Sequence, residues 1–419
     1  MRVPERFHRA CCCLLACAML AVPVRSAGAS SQPRTAAAEI AQIEQATEAI
    51  RLLVHKRPVR VAFDRSPAFD ATVRADFRRS TPESQITLGQ KELVFLGWIK
   101  KTDSYHQIVY QGLTKQVLGL YEPSQHALYV RSDNNEALGI RRDAIAHEYT
   151  HALQDQYFNL VKLQPDQNKI TYRNSDRVTA VHALTEGDAV TTQLLFIARH
   201  YSPSEYQQWV KAQQAGSNGS PLPKAIYRDF YFAYDDGLNF AERLYLKGGM
   251  LAINRAYYRL PQSTYEIMHP TAYLGGWKPA IVSMHRVKGL GSWKQLDDDV
   301  MGALGYKLMI WQYLDKALAT RITNAYRGDR YVFLEDGKQD AALFRSEWTD
   351  SGAARRARDA LVESLRRRYN GRVTVKGLNP ETMTTPDGAA FLQVTGNRLN
   401  LAIGPSSVLA RQVGTARTQ

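Results

Sequence analysis

The stretch Ala144-Ile-Ala-His-Glu-Tyr-Thr-His-Ala-Leu-Gln-Asp-Gln-Tyr157 sets two histidines, His147 and His151, four residues apart with Glu148 between them. Side chains at that spacing stack on one face of a helix, so a single segment can offer two imidazoles to one ion. Glu148 is turned away by about 100°, where it reaches a water on that ion without ligating it. This is the mechanical content of the H-E-x-x-H pattern. It requires a helix here and a neighbouring element that brings a third ligand.

Cysteine is excluded as that ligand. All four cysteines, Cys11, Cys12, Cys13 and Cys17, lie in a segment that reads as a secretory signal peptide. Arg2, Arg6 and Arg9 precede an apolar run from Ala10 to Val22, and Ala27-Gly-Ala29 offers small residues for cleavage. The run is short, and Pro23 and Arg25 interrupt it too soon for it to span a bilayer. Leu14-Leu-Ala-Cys17 resembles a lipoprotein cleavage site, but the apolar stretch before it is short for one. The expected location is therefore periplasmic or secreted, with no transmembrane segment in the mature chain. A chain cut after Ala29 has no cysteine, so its stability rests on its core and any metal is held by His, Asp or Glu. Hydrophobic residues make up 44% of 419, enough for a core that buries a site. Four arginines and one glutamate leave with the leader, taking the charge from +14 to +11. That balance suits an anionic envelope surface as a partner. No nucleic-acid module, Gly-rich phosphate loop or fixed-period repeat is found.

Along the chain, residues 30–35 read as a tether. Ala36 to Lys56 reads as an amphipathic helix, Val59–Phe63 as a strand and Gln90–Lys101 as a helix. Val117–Tyr121 and Ala127–Arg131 read as a hairpin. Ser132-Asp-Asn-Asn135 supplies caps for a long motif helix over Glu136–Phe158. Asn159 to Ser175 reads as a loop, and Ser175-Asp176 as the cap of a second long helix ending near His200. A third helix is expected over Leu238–Arg259 with a kink at Gly248-Gly249, and others over 305–320 and 352–368. Two hairpins follow, at Tyr331–Arg345 and at Phe391–Ala402, the latter turning at Gly396-Asn397. The expected fold class is α+β, mostly helical. Its expected divisions are a leader (1–29), an N-terminal α/β region (30–116), a core (117–330) and a C-terminal α+β region packing on that core (331–419).

Zinc needs a third protein ligand and an open position for water. Val181-His-Ala-Leu-Thr-Glu-Gly-Asp-Ala189 on the second helix supplies Glu186 for that role. His182, one turn earlier on the same face, is the substitute ligand or a partner of Glu186. Gly187 lets another backbone approach, consistent with packing on the motif helix. Zinc bound in this way activates water for attack on a carbonyl, with Glu148 as general base. His269, Tyr234 and Tyr245 are candidate oxyanion donors. Asp155 is a candidate to orient a ligand imidazole.

His147-Glu-Tyr-Thr-His-Ala-Leu-Gln-Asp-Gln156 followed by Ala183-Leu-Thr-Glu-Gly-Asp-Ala189 resembles a family of exported bacterial proteins regarded as zinc metallopeptidases of the gluzincin type. Leu118-Gly-Leu-Tyr-Glu-Pro123, Leu128-Tyr-Val-Arg131, Gly248-Gly249, Ser263-Thr264, His269-Pro270, Gly328-Asp-Arg-Tyr331 and Trp348-Thr-Asp350 extend the likeness over roughly 117–370. The resemblance implies a zincin-like catalytic core, with a small sheet, the motif helix and a following helix bearing the glutamate. It implies one Zn²⁺ on His147, His151 and Glu186, Glu148 as the base, and a peptide or protein substrate. The chain departs from the pattern at Tyr265, where an acidic residue is expected, and at Met250, where an aromatic often stands.

Two other readings compete. A di-iron carboxylate protein would use Glu-x-x-His twice, as in Glu148–His151 and Glu266–His269. Pro270 ends any helix there, and His147 is left without a role. A catalytically inactive envelope scaffold would dock through basic runs such as Arg355-Arg-Ala-Arg358 and Arg366-Arg-Arg368.

Overall fold

The computed structural model describes residues 36–116, 118–131, 142–163, 174–216, 222–284, 291–407 and 409–410. The expected leader, the tether and the capping stretch at 132–135 lie outside these residues, as does most of the expected loop after Asn159. The described chain is mixed α/β. Its first half runs α1 (Ala36–Arg51), β1 (Arg60–Asp64), α2 (Ser66–Ser80), α3 (Glu83–Phe95), α4 (Tyr105–Gln116), β2 (Gly119–Glu122), β3 (Ala127–Arg131), α5 (Arg142–Phe158), α6 (Leu160–Leu163) and α7 (Ser175–His200). The second half runs α8 (Pro203–Gly216), α9 (Lys224–Ala256), α10 (Thr264–Met268), α11 (Pro270–Leu274), β4 (Lys294–Asp299), α12 (Gly302–Trp311), α13 (Lys316–Thr323), β5 (Tyr326–Glu335), β6 (Asp340–Trp348), α14 (Ser351–Arg368), β7 (Thr374–Lys376), β8 (Glu381–Thr385), β9 (Gly388–Thr395) and β10 (Arg398–Gly404).

Two sheets flank a helical centre. The β2–β3 hairpin is extended by β1, which pairs parallel to β3, giving the order β1-β3-β2. β2 is therefore an edge strand. The second sheet is antiparallel throughout in the order β4-β5-β6-β10-β9-β8-β7, so the two expected C-terminal hairpins are parts of one sheet. Ala353, Ala354, Ala357 and Leu361 of α14 are buried and pack in one apolar cluster with residues of that sheet. The arginine runs lie on the other face of α14. There Arg358 and Arg367 meet Asp359 and Glu363, and Arg368 bonds the Phe95 carbonyl.

α5, α7 and α9 form the central core, with α1 against α5 and α7. Nearly every residue from Asp143 to Asp155 and from Asp176 to Gln193 is buried. Neither helix is amphipathic, because each is surrounded on all sides. Their buried polar side chains therefore need partners inside the protein.

Several boundaries differ from the sequence reading. α1 stops at Arg51 and not Lys56, where Leu52 takes a left-handed φ of 57° that no α-helix can continue. α3 begins at Glu83 and ends at Phe95, ahead of the expected span over Gln90–Lys101. α7 is capped by Asn174, whose side chain accepts from the Arg177 N–H, and not by Ser175 or Asp176. α9 starts at Lys224, not Leu238. Gly237, a poor helix former, lies inside it because another helix passes there. The kink at Gly248-Gly249 is present, with Gly249 at φ 62° and ψ −160°. The expected 305–320 helix is two helices, because Asp315 caps the second by accepting from the Leu318 N–H.

Candidate metal centre

α5 presents His147 and His151 on one face, with ring centroids 4.9 Å apart. α7 lies alongside and brings Glu186. The Nε2 atoms of the two imidazoles are 3.2 Å apart, and Glu186 Oε2 lies 3.3 Å from His147 Nε2 and 3.6 Å from His151 Nε2. Two ligands on a tetrahedral zinc with bonds of about 2.0–2.1 Å stand about 3.3–3.4 Å apart. The three donor atoms thus span one face of such a tetrahedron, and the group could hold a metal ion. His147 is 5%, His151 1% and Glu186 0% exposed.

The ring orientations follow from the next layer of residues. His151 Nδ1 faces Gln154 Oε1 at 2.8 Å. The Gln154 amide nitrogen donates to the Thr185 carbonyl at 3.0 Å and to Asp188 Oδ2 at 2.8 Å, both of which can only accept. Its oxygen must then face the imidazole, and Nδ1 must carry the hydrogen. His147 repeats the arrangement, with Nδ1 at 3.2 Å from Gln193 Oε1 and the Gln193 nitrogen donating to Asp143 Oδ2 at 2.7 Å. Both rings are therefore held as Nδ1–H tautomers with Nε2 turned toward Glu186, the arrangement a metal requires. Asp143 also accepts from Trp209 Nε1 at 2.8 Å and Tyr201 OH at 3.1 Å. Burial pushes the Asp143 carboxyl up, and the donors from Gln193, Trp209 and Tyr201 oppose that rise.

Burial alone would depress the His151 pKa. The Glu186 carboxylate, with Glu148 and the Gln154 amide oxygen, overcomes it and raises the pKa to about 9. His182 Nε2 lies 3.2 Å from Glu186 Oε1, the oxygen turned away from the histidine pair, so His182 is the partner of Glu186 and not a fourth ligand.

Glu148 is buried beside the edge strand. Its Oε2 accepts the Tyr121 N–H at 2.9 Å. A Cβ on Gly119 would lie 2.6 Å from Glu148 Cγ, so the strand approaches the carboxylate this closely only because residue 119 is glycine. The Tyr121 hydroxyl donates to Asp155 Oδ2 at 3.2 Å.

Other expected site residues fall elsewhere. Asp155 holds Tyr121 and the Leu160 N–H and, among the described residues, bonds neither His147 nor His151, whose Nδ1 atoms face Gln193 and Gln154. His269 sits at the α10–α11 junction, where its ring packs on Tyr265 at 4.3 Å, and burial and Lys307 lower its pKa. Among the described residues it makes no contact with the cluster. Glu266 accepts the Gln262 N–H and likewise does not join it. Tyr234 is buried against Phe230, and Tyr245 packs against the core. Gly187 does face a neighbouring backbone, but that of α9 and not of the motif helix. A Cβ there would lie 2.0 Å from the Gly237 carbonyl oxygen.

Gln154 was quoted within the motif and Gln193 lies two turns beyond Glu186, so the same-face spacing from each ligand was the signal available for both. Residues 289–413 match a domain of unknown function, DUF8575. That stretch holds the seven-stranded sheet and α12–α14, and the histidine–glutamate cluster lies outside it. No curated protein and no solved structure matches the chain.

Proposed function

We propose that the chain is an exported, zinc-dependent metallopeptidase built on a zincin-like core, with His147, His151 and Glu186 as ligands and Glu148 as general base. The observation that carries this reading is the triangle of two Nε2 atoms and one carboxylate oxygen at 3.2–3.6 Å. Zinc held there supplies a Lewis acid and lowers the pKa of a water in its open position. The protein's own contribution is orientation and proton movement. Tyr121 N–H fixes one Glu148 oxygen, and the other makes no hydrogen bond among the described residues. That second oxygen takes the proton of the attacking water and returns it to the leaving amine. Gln154 and Gln193 keep both imidazoles in the ligating tautomer while the reaction turns over. His269 has no part in this reading.

The same donor set also suits ferrous iron, so metal analysis is the first test. One zinc per chain is expected. Glu148→Gln is expected to keep that zinc and to lose cleavage of a broad peptide library by at least about 10²-fold. Equal digestion by wild type and variant would sink the peptidase assignment. A second reading, a metal-stabilised envelope scaffold without turnover, has one observation in its favour. The cluster is almost wholly buried, as structural metal sites are. For that protein, zinc removal would lower Tm while neither form cleaves peptides.

A further inference from the structure

Arg51, the last residue of α1, has no solvent exposure. Its Nη2 donates to Asp188 Oδ2 at 2.7 Å, and Nη1 donates to Asn254. The same Asp188 oxygen accepts from Tyr257 OH at 2.7 Å and from Gln154 Nε2 at 2.8 Å, and Gln154 turns its oxygen to His151. Arginine and aspartate are almost never fully buried unless paired. Even a paired couple returns little net stability compared with apolar residues of the same volume. What this pair does, and an apolar pair could not, is fix a charged acceptor under the Gln154 amide. At the other imidazole, Gln193 faces His147 and is held by Asp143, whose further donors from Trp209 and Tyr201 are neutral.

We propose that Arg51 is a positioning residue for the metal centre. It holds the Asp188 carboxylate, which fixes the Gln154 amide and keeps His151 in the tautomer that leaves Nε2 for the metal. Without Arg51, Asp188 keeps, among the described residues, only the neutral donors Tyr257 and Gln154, and the hold on the Gln154 amide, shared with the Thr185 carbonyl, is weakened so that rotation costs less. An amide nitrogen facing Nδ1 would force the imidazole hydrogen onto Nε2, which then cannot ligate. The N-terminal helix is thereby part of the metal centre although it supplies no ligand. This rests on the metal centre of the reading above and not on peptide hydrolysis, which the Glu148→Gln assay tests separately.

The test uses the full chain, stripped of metal and reloaded, with zinc affinity read by chelator competition and geometry by the visible spectrum of the cobalt form. Arg51→Met is expected to weaken zinc binding by about 10–100-fold and to alter the cobalt spectrum. Arg51→Lys is expected to recover most of the affinity. Arg330→Met breaks the largely buried pair with Asp298 in the seven-stranded sheet and serves as the control for general destabilisation. It is expected to bind zinc as the wild type does. If Arg51→Met does not fold, Tyr257→Phe removes one donor to Asp188 and is expected to give a smaller loss of affinity in the same direction. Wild-type affinity and spectrum in whichever of these two variants is measured overturns the proposal, as does an equal loss in Arg330→Met. A wild-type chain that takes up no metal overturns the metal centre and this proposal together.

Discussion

In the metal-free chain, Glu186 helps His151 keep a proton at the site proposed for the cation. The His151 pKa, raised to about 9 from 6.5, lies above neutrality, so under the proposed zinc reading the metal would displace that proton on binding. The sign follows from linkage. A raised folded pKa stabilises the metal-free chain fully below 6.5, and that contribution is lost as pH rises through about 9. Zinc affinity should therefore increase by roughly tenfold per pH unit between 6.5 and 9 and level off above. Calorimetry in two buffers near pH 7.5 should show about one proton released per zinc. A pH-independent affinity would contradict this account of His151. At this scale, the shared face of His147 and His151 was legible because helical spacing determines which side chains stack, and Glu186 on the next helix does join them. Arg51 was not legible, since no local pattern connects it to Asp188 across 137 residues of sequence. The surroundings of His269, packed on Tyr265 at the α10–α11 junction, were not legible either, because a motif order along the chain says nothing about where a short helix packs.

At the scale of elements, the candidate metal centre depends on one helix crossing. α7 meets α5 through Glu186 and the two glutamines, and its opposite side meets α9 at Gly187 and Gly237. A Cβ at Gly187 would lie 2.0 Å from the Gly237 carbonyl oxygen, and one at Gly237 would lie 2.4 Å from the Ala183 carbonyl oxygen. Both neighbours are backbone and cannot rotate aside. Gly187→Ala should then cost at least the 1–3 kcal/mol typical of overpacking, despite the higher helix propensity of alanine. Because residue 187 adjoins Glu186, zinc affinity should fall together with the urea midpoint. An unchanged midpoint would mean that the two helices are not held this closely. The extent of α7 was legible to about one residue at its start and near His200 at its end, although its cap is Asn174 and not Ser175 or Asp176. The start of α9 was not, since a glycine placed for a close crossing looks in sequence like a helix breaker.

For the molecule as a whole, buried carboxylates at the junction of the seven-stranded sheet and the central helices decide how stability responds to pH. Asp299, at the end of β4, accepts from the Ser175 N–H at 2.8 Å and so holds the first turn of α7. Burial and the neighbouring Asp297 raise its pKa to about 6. Asp329 on β5 accepts from the Met301 and Gly302 N–H groups at 2.9 Å, and burial raises it to about 7. Glu92, facing Asp297, is raised as well. A carboxyl whose folded pKa exceeds its unfolded value of 3.8 favours the folded state below that value and loses its contribution as pH rises through the folded pKa. For Asp299 and Asp329 the loss is on the order of 3–4 kcal/mol each, complete above pH 7. His200 and His269, both lowered by burial, act in the opposite sense below pH 6.5. In the metal-free chain the raised His151 adds to this slope in the same sense as the carboxylates, its contribution being lost as pH rises from 6.5 through about 9. The metal-free chain should therefore melt several degrees lower at pH 7.5 than at pH 5.5. The usual acid-sensitive protein would show the reverse. A Tm that rises over this interval would mean that Asp299 and Asp329 are ionised at little cost in the folded protein. The joint between the sheet and α7, and with it the seat of Glu186, would then be wetter than the packing of these side chains implies.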